Sequence, residues 1–424
     1  MSIYVSQGSN KDVLLLEDIK NLTLKTLFKI GTDCKKILLI PPDHTRKLSG
    51  AGFITDIIYD FYKDKAHVDI IPALGTHEPM SEEEIHSMFG YNIPLSCFKH
   101  HDWRNDVINK GMISNEFILN VSSGKVDFSI SVDFNKILFE GYDQIISIGQ
   151  VLPHEVAGMA NYTKNIFVGL GGEDSINKSH YLGAVCGIEK ILGKTENPIR
   201  TVFNYAVSTC LSKLPIHYIL TCVGKDERTN KTVMRGFFSG NEEKVFSDAA
   251  KLSREINIKF LKKPIKKAVI YLPSEEFKTT WLGNKAVYRT RLAMEDNGEL
   301  LIIAPGLKGF GEDLQIDKLI RKYGYLGREK ILDLVKKNID LQTNLSAAAH
   351  LIHGSSDGRF KIRYAPGSLK REEIESVNFL YADLREAIER YKPETLLEGY
   401  HTSNDCEEFY FINNPASGLW ALKE

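Results

Sequence analysis

The chain is poor in features that would announce a specialised environment. Its six cysteines (Cys34, Cys97, Cys186, Cys210, Cys222 and Cys406) form no Cys-x-x-Cys pair, which argues against a zinc knuckle or a disulfide framework and fits buried thiols in a reducing cytoplasm. Neither sign of charge is in excess. With 54 Lys and Arg against 55 Asp and Glu, the formal net charge is −1, so there is no electrostatic reason to expect nucleic acid or an anionic membrane as the main partner. No apolar run reaches bilayer length, and the opening MSIYVSQGSNKDV lacks a basic start followed by an apolar stretch, so a cytoplasmic protein is expected. Internal repeats and low-complexity segments are absent as well.

What is present is ordinary globular material: 424 residues, 43% apolar and 10% aromatic, enough for two or three cores. Short apolar runs alternate with helix-like segments, which predicts an α/β protein with mainly parallel sheets covered by helices. Strands are expected at Lys36–Pro41, Val68–Ala73, Gln144–Ile148, Ile166–Leu170, Tyr218–Val223 and Leu300–Ala304. Ser49 is the expected cap of a helix whose Ile54, Ile57, Ile58 and Phe61 recur at helical spacing. A second helix, starting near Asn241, repeats Val245, Ala249, Leu252 and Ile256 on one face, and a third is expected around Glu373–Tyr391. The charged, proline-bearing FLKKPIKK before a new apolar run reads as a boundary. Two domains follow, 1–265 and 266–404, with the aromatic-rich 405–424 packing back onto the first.

Four segments place polar residues just after expected strands, where open α/β sheets bind ligands. In PPDHTRKLSG, Arg46 can hold a carboxylate or phosphate by a forked hydrogen bond and Asp43 can orient a histidine or a cation; a capped turn with exposed charges is an equally good reading of that segment alone. In ALGTHEPMSEEE, His77 stands between a strand and a helix start at Ser81. The third segment spans His154, Lys164 ten residues on and His180 sixteen further, around the glycine turn Gly169-Leu170-Gly171-Gly172. That turn lacks the Lys-Ser/Thr ending of a P-loop, and His154-Glu155 does not continue as His-Glu-x-x-His. In the fourth, Trp281 and Lys285 are four apart, the spacing of one helix face, and suit lining a substrate pocket at a domain interface. Elsewhere, His100-His101 reads as a surface loop, and His350 and His353 as packing or capping residues.

Together these segments resemble the nickel-dependent lactate racemase family, hydroxy-acid racemases and epimerases that carry a nickel-pincer nucleotide. The family's Asp-His-Thr-Arg loop reads here Asp43-His44-Thr45-Arg46, and its Gly-x-His-x-Pro loop Gly75-Thr76-His77-Glu78-Pro79. Its His-Glu-x-x-Gly loop reads His154-Glu155-Val156-Ala157-Gly158, followed by Lys164 and His180 in the family's order and spacing. Lys285, thirteen residues before Gly298, matches the carboxy-terminal domain.

The resemblance implies an isomerase with its active site in the interdomain cleft. Its cofactor would be pyridinium-3-thioamide-5-thiocarboxylic acid mononucleotide joined to Lys164, with Ni(II) held by two sulfurs, a ring carbon and His180, a soft donor set suited to square-planar nickel. His77 and His154 would act as general bases on the hydroxyl of a 2-hydroxy acid, one for each enantiomer, while the α-hydrogen leaves as hydride. Arg46 and Lys285 would polarise the substrate carboxylate or carbonyl, Asp43 would orient a group in contact with substrate or cofactor, and Thr45 would meet the cofactor phosphate. Separate cofactor-building enzymes are implied partners.

Three departures bear on substrate. Asn161-Tyr162-Thr163 stands where the family usually has Gly-Gly, Lys47 where it often has proline, and Trp281-Leu282 where the lactate-type enzymes have Tyr-Gln. Exchanging an amide for an apolar side chain beside an indole points to another, larger 2-hydroxy acid. Two other readings keep the cofactor: an epimerase of a sugar or polyol, and a non-catalytic homologue that binds it and needs Lys164 and His180 but not His77 and His154.

Overall fold

A computed structural model describes residues 2–226, 229, 231–416 and 418–423. The chain divides into two compact units, Met1–Ser179 with Ile191–Asn257, and His180–Lys190 with Ile258–Glu424.

The first unit is built on a six-stranded sheet in the order Ile3–Gly8, Thr232–Gly240, Ile216–Lys225, Gln144–Gln150, Lys36–Ile40, His67–Ile70. The last four strands run parallel; the other two pairings are antiparallel. Parallel strands covered on both faces lose their polar alternation, and Ile37, Leu38, Leu39 and Ile40 are all fully buried. Against one face lies the helix Ala51–Tyr62, whose Ile54, Ile58 and Tyr62 share a core with Leu39, Ile146 and Ile219. The helix Glu243–Asn257 buries the expected Val245, Ala249 and Leu252.

Two local expectations are corrected. The helix after the first parallel strand is preceded by Gly50 at φ 78°, and Ser49 ends the short 3-10 turn before it, although its Oγ still accepts from the Ala51 N–H at 3.2 Å. Residues 166–170 form no strand: Thr163–Phe167 is a short helix. A five-residue run buried on all sides has no period with which to tell strand from helix. Here Asn165 decides, because its Nδ2 donates to the Ile40 carbonyl at 3.1 Å and to Ser147 Oγ at 2.9 Å, a reach across the sheet that a further paired strand would not have.

The second unit has its own six-stranded sheet, ordered Leu380–Tyr381, Lys361–Pro366, Met294–Ala304, Ile265–Tyr271, Glu408–Asn413, Gly399–Thr402, parallel except for the last pair. The tail therefore belongs to this unit and not to the first: Glu408–Asn413 lies beside Ile265–Tyr271, and Leu419–Leu422 pairs with Ile258–Leu261. That second pairing also moves the division to Asn257, ahead of the FLKKPIKK link. The expected helix over 373–391 is two helices, Arg371–Ser376 and Leu384–Tyr391, separated by an edge strand after Asn378 at φ 68°. Trp281 and Lys285 likewise sit on two successive short helices, Thr280–Gly283 and Lys285–Thr290, meeting at the buried Asn284.

All six cysteines are free thiols. Among the described residues no helix is long and apolar enough to cross a membrane. One close approach fixes the cover of the first sheet: a Cβ at Gly52 would run into the Met88 carbonyl of the helix Glu82–Phe89. Gly52→Ala is expected to lower stability by about 1–3 kcal/mol in urea unfolding, the usual cost of overpacking a fitted contact.

Candidate active site

The loops that follow three neighbouring parallel strands of the first unit carry the candidate residues, as the ligand-binding edge of such a sheet should. Lys36–Ile40 leads to Asp43, Thr45 and Arg46; His67–Ile70 leads to His77; Gln144–Gln150 leads to His154 and Lys164. Backbone contacts draw these loops together. Pro42 bridges to Ala73, and the Gly75 N–H donates to the Gly169 carbonyl at 2.9 Å, so the His77 loop is tied to the turn after Lys164. Gly75 makes that turn at φ 60°, where a side chain would be strained.

Asp43 organises the first half of the site. Its carboxylate is 6% exposed and accepts from Thr45 N at 3.2 Å, from Thr45 Oγ at 2.5 Å and from His77 Nδ1 at 2.5 Å. Burial pushes the carboxyl toward protonation, but the hydrogen bonds from His77 and Thr45, with the charges of His77 and Arg46, outweigh it and hold the group below the ordinary carboxylate range. An ionised carboxylate only accepts, so His77 presents an N–H at Nδ1, and in the neutral ring the lone pair then lies on Nε2. The His77 side chain is 59% exposed, which leaves that nitrogen accessible to a small molecule.

Lys164 organises the second half. Burial pulls its amine down to about 8, the Arg46 charge pushes the same way, and Glu155 opposes them. At that value about a tenth of the amine is neutral at pH 7, against well under a thousandth for an ordinary lysine, so it can act as a nucleophile. The approach to it is strained: Asn161 and Tyr162 have φ of 66° and 60°, and Tyr162 combines this with ψ of −131°. These are conformations glycine adopts freely and other residues only at a cost of about 1–3 kcal/mol each. Neighbouring side chains supply the compensation. Tyr162 stacks on Phe246 at 5.1 Å and packs against Tyr218 at 4.4 Å. Arg200, itself buried over the Phe246 ring, donates to the carbonyls of Met159 and Asn161 and to Thr163 Oγ.

His154 is half-buried, and its Nδ1 lies 3.1 Å from the Val156 N–H and 3.3 Å from the Ala157 N–H. Arg46, half-buried, acts electrostatically on both Asp43 and Lys164, which places its charge between the two halves. His180 lies on the helix Glu173–Cys186, in the stretch counted with the second unit, where Trp281, Leu282 and Lys285 are also found, all half-buried. Among the described residues no three His, Cys, Asp or Glu side chains cluster as a metal site.

Two contributors escape sequence reasoning. Asn165 and Arg200 carry no recognisable motif, although a lone charged residue in the Pro198–Cys210 helix, just after the Asn197 cap, is the kind of signal that finds one. His101 corrects an expectation. It is buried, donating from Nε2 to the Gly171 carbonyl at 3.0 Å and accepting at Nδ1 from Asn135 at 2.9 Å, and burial pulls it down to about 4, so it is a neutral strut under the glycine turn.

The loops of a parallel sheet thus bring together a carboxylate-oriented histidine and a lysine whose amine burial has lowered to about 8, within an α/β fold. Residues 12–190 match the family model described as the lactate racemase N-terminal domain, so this part of the chain is similar to that domain. Among solved structures, a protein from Thermotoga maritima superposes with a TM-score of 0.81 at 24% identity, covering 99% of this chain and 100% of its own. The lactate racemase apoprotein from Thermoanaerobacterium thermosaccharolyticum superposes with a TM-score of 0.71 at 19% identity, covering 99% and 94%. At these identities the likeness carries the fold. No curated protein matches.

The lowered Lys164 value has a thermodynamic sign. Between about 8 and the ordinary 10.5 the unfolded chain holds this proton and the folded chain does not, so stability rises with pH across that window. Lys164→Met is expected to remove that rise and to stabilise the protein at pH 7 by up to about 3 kcal/mol, read from urea unfolding at pH 7 and 10. Amine labelling of the parent should show a midpoint near 8 at Lys164.

Proposed function

We propose that the chain is a racemase or epimerase of a 2-hydroxy acid that carries a nickel-pincer nucleotide on Lys164. The observation that carries this reading is one cradle in which Arg46 acts electrostatically on both the Asp43 that orients His77 and the buried amine of Lys164, lowered to about 8. The residues fit the group: an unusually neutral amine can form the thioamide link, and Thr45 stands on the same loop to meet a phosphate. Such a group, when bound, supplies a hydride acceptor, which spares the enzyme a carbanion beside an ionised carboxylate.

The chain's own residues do the rest. Nε2 of His77 takes the proton of the substrate hydroxyl, and Asp43 holds the ring in the tautomer that can do so and stabilises the imidazolium that results. Arg46 offers a planar fork to the substrate carboxylate and holds the flat keto acid while it turns. A protein that only stored the cofactor would have no use for the Asp43–His77 pair. Support for His180 as the protein ligand of nickel, and for Lys285, Trp281 and Leu282 as substrate contacts, comes from the family pattern. Trp281-Leu282 favours an acid larger than lactate. Free thiols suit a reducing, cytoplasmic setting, and loading requires the separate enzymes that build the cofactor.

The test is intact-mass spectrometry of protein made alongside those enzymes, with a panel of enantiopure 2-hydroxy acids followed by circular dichroism. A mass gain at Lys164, stoichiometric nickel and loss of optical activity with the α-deuterium retained are expected. His77→Gln should keep the mass gain and lose about 10²–10⁴ in turnover. No gain at Lys164, or turnover confined to sugars, sinks the reading.

A further inference from the structure

In the second unit, Trp281 stands on a short helix that the glycine-bearing loop 306–311 fixes in place. The Thr280 N–H donates to the Gly309 carbonyl at 3.2 Å, and the Trp281 N–H to the Phe310 carbonyl at 2.9 Å. The loop's own N–H groups, the kind of donors a phosphate would need, are already taken. Phe310 and Gly311 donate to Asp317 Oδ1 at 2.8 and 3.2 Å, and Arg321 Nε holds the other carboxylate oxygen at 2.6 Å. The main chain under Trp281 is therefore anchored, and its side chain remains to be set.

His350, on the helix Leu345–His353, stacks on the indole with ring centroids 4.2 Å apart and planes 28° from parallel. Its own orientation is held by a hydrogen-bond chain whose polarity follows from its far end. Thr280 Oγ1 lies 3.0 Å from the Phe310 carbonyl, which only accepts, so the one hydroxyl proton of Thr280 goes there. Tyr325, 2.8 Å from that hydroxyl, must then donate to it, and the Tyr325 oxygen accepts from His350 Nε2 at 3.0 Å. Burial pulls His350 down to about 3, with the His353 charge acting the same way, so the ring is neutral and keeps its single proton on Nε2. Tyr325 is itself buried and stacked on Phe379 at 4.5 Å, so it cannot follow a drifting imidazole. One carbonyl, that of Phe310, thus receives both the Trp281 main chain and the end of the chain that orients the ring lying on its indole.

We propose that His350 is a positioning residue that holds the Trp281 indole in one orientation, and that this preset indole sorts 2-hydroxy acids by the size of their side chain. The sorting rests on the proposed reading of Trp281 as a substrate contact; the positioning does not. Trp281 is half-buried, so His350 covers one face while part of the ring stays open to a ligand. An indole already fixed in one rotamer gives its contact without an ordering cost at each binding event, and it disfavours a side chain that needs it to move. His350 acts through Trp281 and not on the reacting atoms. Core packing alone would ask only for a ring of the right volume, whereas the chain through Tyr325 and Thr280 also fixes how that ring is turned.

Fluorine spectroscopy of the whole chain without cofactor tests the positioning. Growth on 5-fluorotryptophan labels Trp103, Trp281 and Trp420, and Trp281→Phe assigns the line that matters. The parent is expected to show one sharp Trp281 line, His350→Ala a shifted line that is broadened or split, and His350→Phe, which restores a flat ring, a single sharp line again. Tyr325→Phe keeps its volume and removes the oxygen that accepts from His350; it should broaden the line too, and it carries the test should the alanine variant not fold. A line unchanged in His350→Ala overturns the positioning role, and one unchanged in Tyr325→Phe overturns the part given to the hydrogen-bond chain. In the loaded enzyme, His350→Ala should raise KM for 2-hydroxy-4-methylpentanoate about tenfold more than for lactate, with kcat little changed and His350→Phe recovering most of the loss. Equal rises for the two acids, or a loss confined to kcat, overturn the sorting. The two ideas fail separately. A Trp281 line that responds as expected in a chain that turns over no hydroxy acid sinks the function and leaves the held indole standing, and turnover with an unresponsive line does the opposite.

Discussion

A single buried carboxylate sets the terms for this site. Asp43 leaves water at the end of a parallel strand and replaces its hydration with three hydrogen bonds from two different loops. Removing an ionised group from water is costly unless its lone pairs are met, so the loops that meet them are held in place by that requirement. Thr45 closes the loop on itself, and His77 arrives from the neighbouring strand with its tautomer already chosen. The orientation of the His77 ring is thus a by-product of keeping one anion satisfied.

The lysine half of the cradle follows a different logic. Among the described residues nothing comparable satisfies the Lys164 amine; burial first, then the charges of Arg46 and Arg200, press it toward neutrality, with Glu155 and Asp43 as partial counterweights. Its position is secured through the backbone instead. Asn165 ties the short helix to Ile40 and Ser147, and Arg200 collects the carbonyls of the strained approach. Asn165 acts only as an anchor, while Arg200 both holds the backbone and presses the amine toward neutrality.

Much of this was legible in the sequence, because strands whose apolar runs end in Asp43-His44-Thr45-Arg46 or in Gly75-Thr76-His77 mark both the sheet and its functional edge. The parallel strands and the helix stripes follow from periodicity and position, and the candidate residues from position together with the resemblance. What escaped did so for physical reasons. Residues 166–170 are buried on every side and have no polar face to betray a helix. The tail looked like cover for the first domain because aromatic content says that a segment packs, but not on what; backbone pairing with Ile265–Tyr271 settles it. Arg200 and Asn165 act through main-chain carbonyls, which every sequence has and no pattern displays. The stacking of His350 on Trp281 joins segments far apart in the chain, a property of three-dimensional contact alone.

Ahead of Lys164 the chain holds Asn161 and Tyr162 at positive φ, where glycine is the usual occupant, with Tyr162 propped on an aromatic wall. A glycine pair would be free in the unfolded chain and pliable in the folded one. The residues present are neither: the segment has few alternatives to lose and little play once set. A lysine mounted on such a bracket delivers its amine to one place, so a covalent guest would be received by a fixed fitting and not by a mobile arm, with geometry settled before the guest arrives.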